Sequence, residues 1–250
     1  MIFKIKMTKI KKEKNMELKA NENKQLERKV GEEIYLRYAI TTHYVQIGEN
    51  YIELIKKYVL PHYQEGDILS ISEKVISLCQ KRVVYKKDMH ISFLAKFLSR
   101  FAMSSKAGIG VDSPYKMQFA IDLCGPIKVI RAAICAGIGK LFHKKGIFYD
   151  IVGMEVSGLD GFYDKVFPEY GEFGIRIPEN PAGVCDAIYE KLGIKAMIVD
   201  ANDLERVILG KASVIENPDD FLERLIEDNP AGQSKQLTPF ILIRKANKMN

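Results

Sequence analysis

The sequence predicts an α+β protein, because stretches with strand character alternate along the chain with stretches of helical periodicity. Residues 32–41 are rich in β-branched and aromatic side chains, which is typical of a strand. Residues 49–60 instead place Ile52, Ile55 and Val59 at helical spacing. With 250 residues and 47% apolar composition, the chain is long enough for one large domain or two small ones.

The remaining elements continue this alternation. Residues 66–77 begin as a strand, and residues 146–156 also have strand character. A helix is expected after Asn180, a capping residue, with Pro181 in its first turn and Gly193 at its end. Further helices are predicted at residues 91–102, 114–140 (with a break near Gly125) and 217–228, and further strands at residues 195–200 and 238–244.

The positive charge of the chain is concentrated at its beginning. Residues 1–30 carry ten Lys and Arg against four Glu, whereas residues 31–250 carry 28 of each sign. We therefore expect a basic, flexible N-terminal segment (1–30) and a neutral folded domain (31–250) without a groove for nucleic acid. A weak tether to nucleic acid or an anionic membrane is the alternative role for the segment. The segment lacks the features of a secretory signal, and no apolar run approaches the ~18 residues of a membrane span.

The cysteines indicate a reducing compartment. Cys79, Cys124, Cys135 and Cys185 are far apart and form no C-x-x-C pair. This spacing argues against a zinc site and against a disulfide framework, so we expect free thiols and a cytoplasmic protein.

Polar residues at the ends of apolar stretches are the first candidates for chemistry. In GDILSISEKVIS (66–77), Ser72, Glu73 and Lys74 separate two apolar runs, as either a surface turn or a site would. Asp160 follows residues 146–156 in a glycine-flanked loop, and Asp200 ends another apolar run. Carboxylates at strand ends suit Mg²⁺ or Mn²⁺, although Asp also caps helices and starts turns.

Two further segments add weaker signals. Gly232, Gln233 and Ser234 precede the last predicted strand, and small polar residues with a glycine can surround a phosphate. His43 ends the first predicted strand beside Thr42, where a lone histidine is most often structural. The common P-loop, dinucleotide-binding, zinc-protease and serine-hydrolase motifs do not occur.

In this order, GDILSISEKVIS, QKRVV, SGLDG, MIVDAND and the GQS loop resemble the coenzyme F-420:L-glutamate ligase (F-420-0:gamma-glutamyl ligase) family, and most closely its bacterial F-420-ligase-like branch. The resemblance covers about residues 32–245. It implies a two-lobed α+β fold with mixed sheets and flanking helices, and an intertwined homodimer. It also implies a GTP- and Mg²⁺- or Mn²⁺-dependent ligase that joins the amine of L-glutamate to a carboxylate of a deazaflavin coenzyme precursor.

The resemblance also implies roles for particular residues. Lys74 and Asp160 would be catalytic, and Asp160, Asp200 and Gln233 would hold the metal. Nucleotide contacts would come from Thr42, His43, Ser72, Glu73, Lys74, Gly232, Gln233 and Ser234. No membrane or nucleic-acid partner is implied.

The chain departs from the family pattern at both aspartates. The family sequence D-S-N is replaced by Asp160-Gly161-Phe162, and D-T-F-G-R-P by Asp200-Ala201-Asn202-Asp203-Leu204. Asn202 or Asp203 is a candidate replacement ligand. The acceptor and the choice between GTP and ATP therefore stay open. The alternatives are the same ligase chemistry on another acceptor, or a nucleotide- and metal-binding regulator without turnover.

Overall fold

The chain divides into two compact units. The computed structural model describes residues 18–102, 110–162, 171–201, 206–232 and 236–246. The first unit comprises the described residues up to Ile76 and from Asn180 onward, and the second comprises Ser77–Glu179. The second unit is thus an insertion in the sequence of the first. The predicted α+β class is confirmed.

Helices and short strands alternate over most of the described residues. The strands there are β1 (Glu27–Val30), β2 (Glu33–Ile40), β3 (Ile68–Ser72), β4 (Val83–Tyr85), β5 (Asp160–Gly161), β6 (Phe173–Ile175), β7 (Lys195–Ala201), β8 (Arg206–Lys211) and β9 (Phe240–Lys245). The helices there are α1 (Tyr51–Tyr58), α2 (Glu73–Cys79), α3 (Phe93–Ser99), α4 (Pro114–Cys124), α5 (Pro126–Leu141), α6 (Ile147–Val152), α7 (Met154–Ser157), α8 (Pro181–Leu192) and α9 (Asp219–Leu225), with a 3₁₀ turn at Lys86–Asp88.

A six-stranded mixed sheet forms the centre of the first unit. Its strand order is β1-β2-β9-β3-β7-β8, and β3 and β7 are its parallel pair. The central strands have buried residues on both faces, as Leu69 to Ile71 of β3 and Phe240 to Ile243 of β9 show. Runs of consecutive buried residues such as these are typical of strands that are covered on both sides.

Helix α8 follows the boundaries that the sequence predicts. The Asn180 side chain accepts a hydrogen bond from the Gly183 N–H at 3.2 Å, and Gly193 ends the helix in the left-handed conformation. Val184, Cys185 and Ile188 are buried, and the helix packs against β7 and β8. Helix α1 begins in the same way, because the Asn50 side chain accepts from the Ile52 N–H at 2.9 Å.

Two ion pairs with buried members connect distant segments of the first unit. The buried Arg37 of β2 contacts both carboxylate oxygens of Asp228. Arg244 of β9 donates to both oxygens of the buried Asp67, at 2.8 and 2.7 Å. Asp67 also accepts from the Gln64 N–H at 2.8 Å. The aspartate of GDILSISEKVIS therefore ties the start of β3 to the end of β9.

The N-terminal part of the first unit differs from the prediction. Residues 18–30 lie inside the segment that we expected to be a tail, but β1 pairs with β2 and the Ala39 N–H donates to the Lys19 carbonyl at 2.9 Å. Lys24 donates to the Asp228 carbonyl at 2.7 Å. This strand was hard to predict, because β1 is only four residues long and charged at three positions.

The second unit is mostly helical. Helices α3 to α7 surround a core that includes Met117, Ala120, Val129 and Phe148. A small antiparallel sheet has the strand order β4-β6-β5. None of the helices in the described ranges of either unit is long and apolar enough to cross a membrane.

The strand predicted at residues 146–156 is wrong, because this segment forms helices α6 and α7. Phe148, Val152 and Val156 are buried and lie four residues apart, which is the spacing of one helix face. The β-branched and aromatic composition suggested a strand, whereas the burial pattern follows the helical period.

Candidate functional site

The ends of β2, β3 and β7 bring several of the first unit's predicted site residues to one end of its sheet, where β9 begins. β9 is antiparallel to both β2 and β3, and Phe240 at its start pairs with Ile40 and with Ile71. Because β3 and β7 are parallel, Ser72 lies opposite Val199. The residues that follow β2, those that end β3 and β7, and those that precede β9 therefore lie at the same end. We call this the polar end of the sheet, defined as Thr42, His43, Ser72–Lys74, Asp200 and residues 236–239.

The spacing of the strands sets the width of the polar end. Neighbouring strands lie about 4.8 Å apart, so β2 and β7, three strand intervals apart, are separated by about 14 Å. Two backbone hydrogen bonds fix the segment before β9 against this end. The Thr42 N–H donates to the Leu237 carbonyl at 2.7 Å, and the Ser72 N–H donates to the Pro239 carbonyl at 2.9 Å.

The chain changes from strand to helix at the Ser-Glu-Lys triplet. Residues 66–77 begin as a strand, as the sequence predicts, but β3 ends at Ser72 and α2 begins at Glu73. Glu73 is buried, whereas Ser72 and Lys74 are half-buried. The triplet is therefore neither a surface turn nor the middle of a strand. It is a strand–helix junction at the polar end.

His43 is held through both of its ring nitrogens. Its Nδ1 lies 2.7 Å from the Tyr58 hydroxyl, and its Nε2 lies 3.0 Å from each carboxylate oxygen of Glu49. Burial alone would raise the pKa of Glu49, but hydrogen bonds from the Gln46 N–H and from His43 hold that pKa below its ordinary value. A ligand contact through a ring nitrogen of His43 would have to replace one of these partners.

The segment before β9 is organised by a residue from the N-terminal region. The Asn21 side chain lies 2.7 Å from the Ala231 carbonyl and 3.0 Å from the Thr238 hydroxyl. Gly232 has a positive φ of 74°, and a Cβ there would overlap the Gln236 side chain. Glycine is therefore required at this turn. The predicted contacts Gln233 and Ser234 lie outside the described residues, as do Asn202 and Asp203.

Asp200 is a half-buried residue near the end of β7, opposite Val207 of β8. Its position at the polar end agrees with the strand-end location that the sequence predicts. Its role as a metal ligand stays a prediction.

Asp160 belongs to the second unit, in a setting that the sequence did not predict. It follows helix α7 and lies on the short strand β5, opposite Ile175 of β6, rather than after a long buried strand. The next residue, Gly161, has a positive φ of 105°, and a Cβ there would lie 2.7 Å from the Phe173 carbonyl oxygen. This close approach of two backbones fixes the strand that carries Asp160.

A buried lysine interacts electrostatically with Asp160. Lys116 of α4 donates to the carbonyl oxygens of Ser157 and Leu159, each at 2.8 Å. Burial lowers the pKa of Lys116 to about 8, although Asp160 and Asp112 each act to raise it. Asp160 is therefore part of a charged cluster in which a cation is already present.

The described residues contain only part of the predicted set of metal ligands. Within the described residues, no group of three or more His, Cys, Asp or Glu side chains is arranged to hold a metal ion. Asp200 lies in the first unit and Asp160 in the second, and Gln233 is outside the described residues. Magnesium is commonly held by one or two carboxylates together with substrate phosphates. The carboxylate of Asp200 fits that arrangement rather than a cage built from protein alone.

Sequence reasoning missed the side chains that support the site. Glu49 and Tyr58, which hold His43, follow it by six and 15 residues and carry no motif. Asn21 contacts a segment about 210 residues later in the chain. Lys116 carries no motif either.

No model of a protein family matches this chain, and no curated protein matches it either.

Proposed function

We propose that the protein is a nucleotide- and metal-dependent amide ligase, with its nucleotide site at the polar end of the six-stranded sheet. One observation carries the proposal. Three segments singled out for polar residues after an apolar run, at Thr42–His43, Ser72–Lys74 and Asp200, lie at the same end of one sheet, where residues 236–239 lead into β9. In sheets with parallel strands, ligands commonly bind beyond the carboxyl ends of the strands.

The reaction that we propose activates a carboxylate before an amide is formed. An oxygen of the acceptor carboxylate attacks the γ-phosphorus of GTP, and GDP leaves. The amine of L-glutamate then attacks the acyl phosphate carbon, inorganic phosphate leaves, and the amine proton passes to solvent. Such chemistry depends on holding the reactants in place and on neutralising phosphate charge. The acceptor class, a carboxylate-bearing small molecule such as a deazaflavin coenzyme precursor, rests on the sequence resemblance.

The residues of the polar end have separate roles in this proposal. Lys74 contributes a positive charge to a phosphate oxygen. Asp200 would hold Mg²⁺ or Mn²⁺, which would supply further positive charge to the phosphates when bound. Thr42 and Ser72 line the same end, while Glu49 and Tyr58 keep His43 in position. We include Asp160 as a predicted metal ligand without assigning it to this end of the sheet.

The proposal also covers compartment and assembly. The four cysteines are free thiols, with Cys185 buried and Cys135 exposed, which suits the reducing cytoplasm where GTP is present. The homodimer that the resemblance implies is part of the proposal and would be measured by sedimentation.

Calorimetry with GTP and Mn²⁺ tests the nucleotide site. We expect Lys74→Ala and Asp200→Asn each to weaken GTP binding at least tenfold while the circular dichroism spectrum is unchanged. Lys191→Ala and Asp220→Asn are matched controls, because both residues are exposed in the same unit, and they should bind like the wild type. Equal affinity in all five proteins would contradict the assignment of the site.

Phosphate release separates a ligase from a binding protein. The wild type is incubated with GTP, Mn²⁺, L-glutamate and a panel of carboxylates, and with ATP in place of GTP. Release that requires both the acceptor and glutamate supports the ligase. Tight binding without release under every condition would favour the regulatory alternative and remove the catalytic part of the proposal.

A further inference from the structure

Helix α5 of the second unit exposes a continuous apolar surface. Five large side chains recur at intervals of three and four residues, which places them within an arc of about 80° around the helix. Their exposed fractions range from 37% to 77%. We call them the apolar stripe, which consists of Ile127, Ile130, Ile134, Ile138 and Leu141.

The stripe lies on the side of the helix opposite the core. Val129, Ala132 and Gly139 are buried, and the first two belong to the hydrophobic core of the unit. At 3.6 residues per turn these positions are centred about 180° from the stripe. The sequence therefore gives α5 two apolar faces, of which the core covers one. Exposed contiguous apolar surfaces of this kind mark sites of interaction.

The charged residues of the segment that carries the stripe are all of one sign. No Asp or Glu occurs between Asp122 and Asp150. The same stretch carries five exposed basic residues, which are Lys128, Arg131, Lys140, Lys144 and Lys145. Between Asp122 and Asp150, the apolar stripe is therefore accompanied in sequence only by basic charged residues.

Helix α3 of the same unit, together with the turn that follows it, has the same kind of composition. Phe93, Phe97 and Phe101 are 82%, 46% and 70% exposed, and their successive ring centroids are 6.3 and 5.0 Å apart. The charged residues among them are Lys96 and Arg100. The unit as a whole has 15 Lys and Arg against 10 Asp and Glu.

We propose that the second unit binds an anionic lipid surface through helix α5. The stripe would enter the boundary between headgroups and acyl chains, and the basic residues would lie near the lipid phosphates. Helices with apolar residues on one face and Lys or Arg beside them bind in the plane of an anionic bilayer in this way. The interaction would be peripheral.

Charge decides between a lipid surface and the other occupants. In a symmetric pair of α5 helices, Lys and Arg of both copies would lie close together with no carboxylate in the segment to neutralise them, and such like-charge contacts are unfavourable. Nucleic acid offers phosphates, but aliphatic isoleucines provide no stacking surface for its bases. Anionic lipid satisfies the apolar and the basic parts of the surface together.

The test uses the absence of tryptophan from the chain. Ile134→Trp places a single fluorophore on the stripe, and Val207→Trp places one at an exposed apolar position of the first unit. With vesicles of 70% phosphatidylcholine and 30% phosphatidylserine, the emission of Ile134→Trp should shift to the blue by at least 10 nm, whereas Val207→Trp should not shift. Pure phosphatidylcholine and 0.5 M salt should each abolish the shift.

Vesicle flotation with the full chain supplies a second readout. The double variant Ile134→Ser/Ile138→Ser should bind anionic vesicles at least tenfold less than the wild type, and so should Lys144→Glu/Lys145→Glu. Ile34→Ser/Val207→Ser and Lys56→Glu/Lys191→Glu are the matched controls in the first unit.

Three outcomes would overturn the proposal. The first is an emission spectrum of Ile134→Trp that does not shift with anionic vesicles. The second is undiminished flotation of the stripe variants, which would assign vesicle binding to the N-terminal segment instead. The third is a stripe variant that converts a dimer into a monomer, while the wild type does not bind vesicles. The last result would assign the stripe to a second copy of the chain.

Discussion

Among the described residues, each unit has one fully buried cationic side chain, and the two are hydrogen-bonded to different partners. In the first unit, Arg37 contacts the carboxylate of Asp228. In the second unit, Lys116 donates to two backbone carbonyl oxygens, while Asp160 and Asp112 attract it electrostatically. A carboxylate neutralises a buried cation, whereas a carbonyl dipole does so only in part.

The pKa shifts follow this difference. Burial alone would raise the pKa of Asp228, but hydrogen bonding and attraction from Arg37 hold it below its ordinary value. The pKa of Arg244 is raised, mainly by its hydrogen bond with Asp67. The pKa of Lys116 is instead lowered to about 8 by burial. Near neutral pH the buried ion pairs of the first unit therefore stay charged. In the second unit, the buried Lys116 loses its proton in mild alkali.

The surfaces of the two units differ as well. From residue 31 onward, the first unit has 13 Lys and Arg against 18 Asp and Glu, a net charge of −5, whereas the second unit has a net charge of +5. The neutrality of residues 31–250 is the sum of these two values. A conclusion about binding partners drawn from the whole segment therefore misses the basic, apolar surface of the second unit.

The largest effect should come from breaking the ion pair of the first unit. Asp228→Ala leaves the buried Arg37 guanidinium without its carboxylate, which we expect to destabilise the protein by about 3–5 kcal/mol in urea unfolding. Asp220→Ala removes an exposed partner of Arg224 and should cost less than about 1 kcal/mol. Similar small losses in both variants would show that the first unit does not depend on its buried pairs.

The wild-type Asp228 carboxylate should also produce an acid dependence. Its pKa is lower in the folded protein than in the unfolded chain. Its contribution to the unfolding free energy is therefore complete above the unfolded pKa of about 3.9 and is lost as the pH falls. Asp228→Ala should therefore lose less unfolding free energy than the wild type as the pH is lowered.

The second unit should show a pH dependence of stability at alkaline pH, where the first unit's acid-side effect is already complete. Because the pKa of Lys116 is about 8 when folded and about 10.4 when unfolded, the cost of the buried charge disappears as the pH rises through this window. Between pH 7 and 9.5 the wild type should gain about 2 kcal/mol of unfolding free energy relative to Lys116→Met. If the unfolding free energies of the wild type and of Lys116→Met changed in parallel with pH, the contrast with the first unit would be removed.

The smallest effect should come from the exposed contact at His43. Glu49→Gln removes a charged partner, and we expect a loss of about 1 kcal/mol or less at pH 7. Since the pKa of Glu49 is lowered, its contribution is lost as the pH falls below about 4.3, and the variant should lack this part of the acid dependence. A loss several times larger would mean that the polar end depends on this contact for folding.

The sequence predicted the regular elements of the first unit better than those of the second. Asn180, Pro181 and Gly193 mark both ends of α8, because capping is a local interaction. The helices at residues 147–157 were missed, because Phe148, Val152 and Val156 have strand propensity but face one core at helical spacing. Tertiary packing, rather than strand propensity, determined the secondary structure of that segment.

The candidate site was predictable in part. Ser72 and Asp200 end apolar runs, and parallel pairing of their strands brings them to one end of the sheet. The partners Glu49, Tyr58 and Asn21 could not be predicted, since a side-chain contact between distant segments leaves no periodic signal. That Asp160 belongs to the second unit could not be predicted either, because it depends on where the chain leaves the first unit and where it returns to it.

Amide hydrogen exchange with two ligands tests the division of roles most directly. With GTP and Mn²⁺, we expect added protection in residues 42–46, 72–76 and 236–239 of the first unit. With anionic vesicles, we expect it in Pro126–Leu141 of the second unit instead. Protection by the nucleotide confined to the second unit, or none with either ligand, would contradict the account.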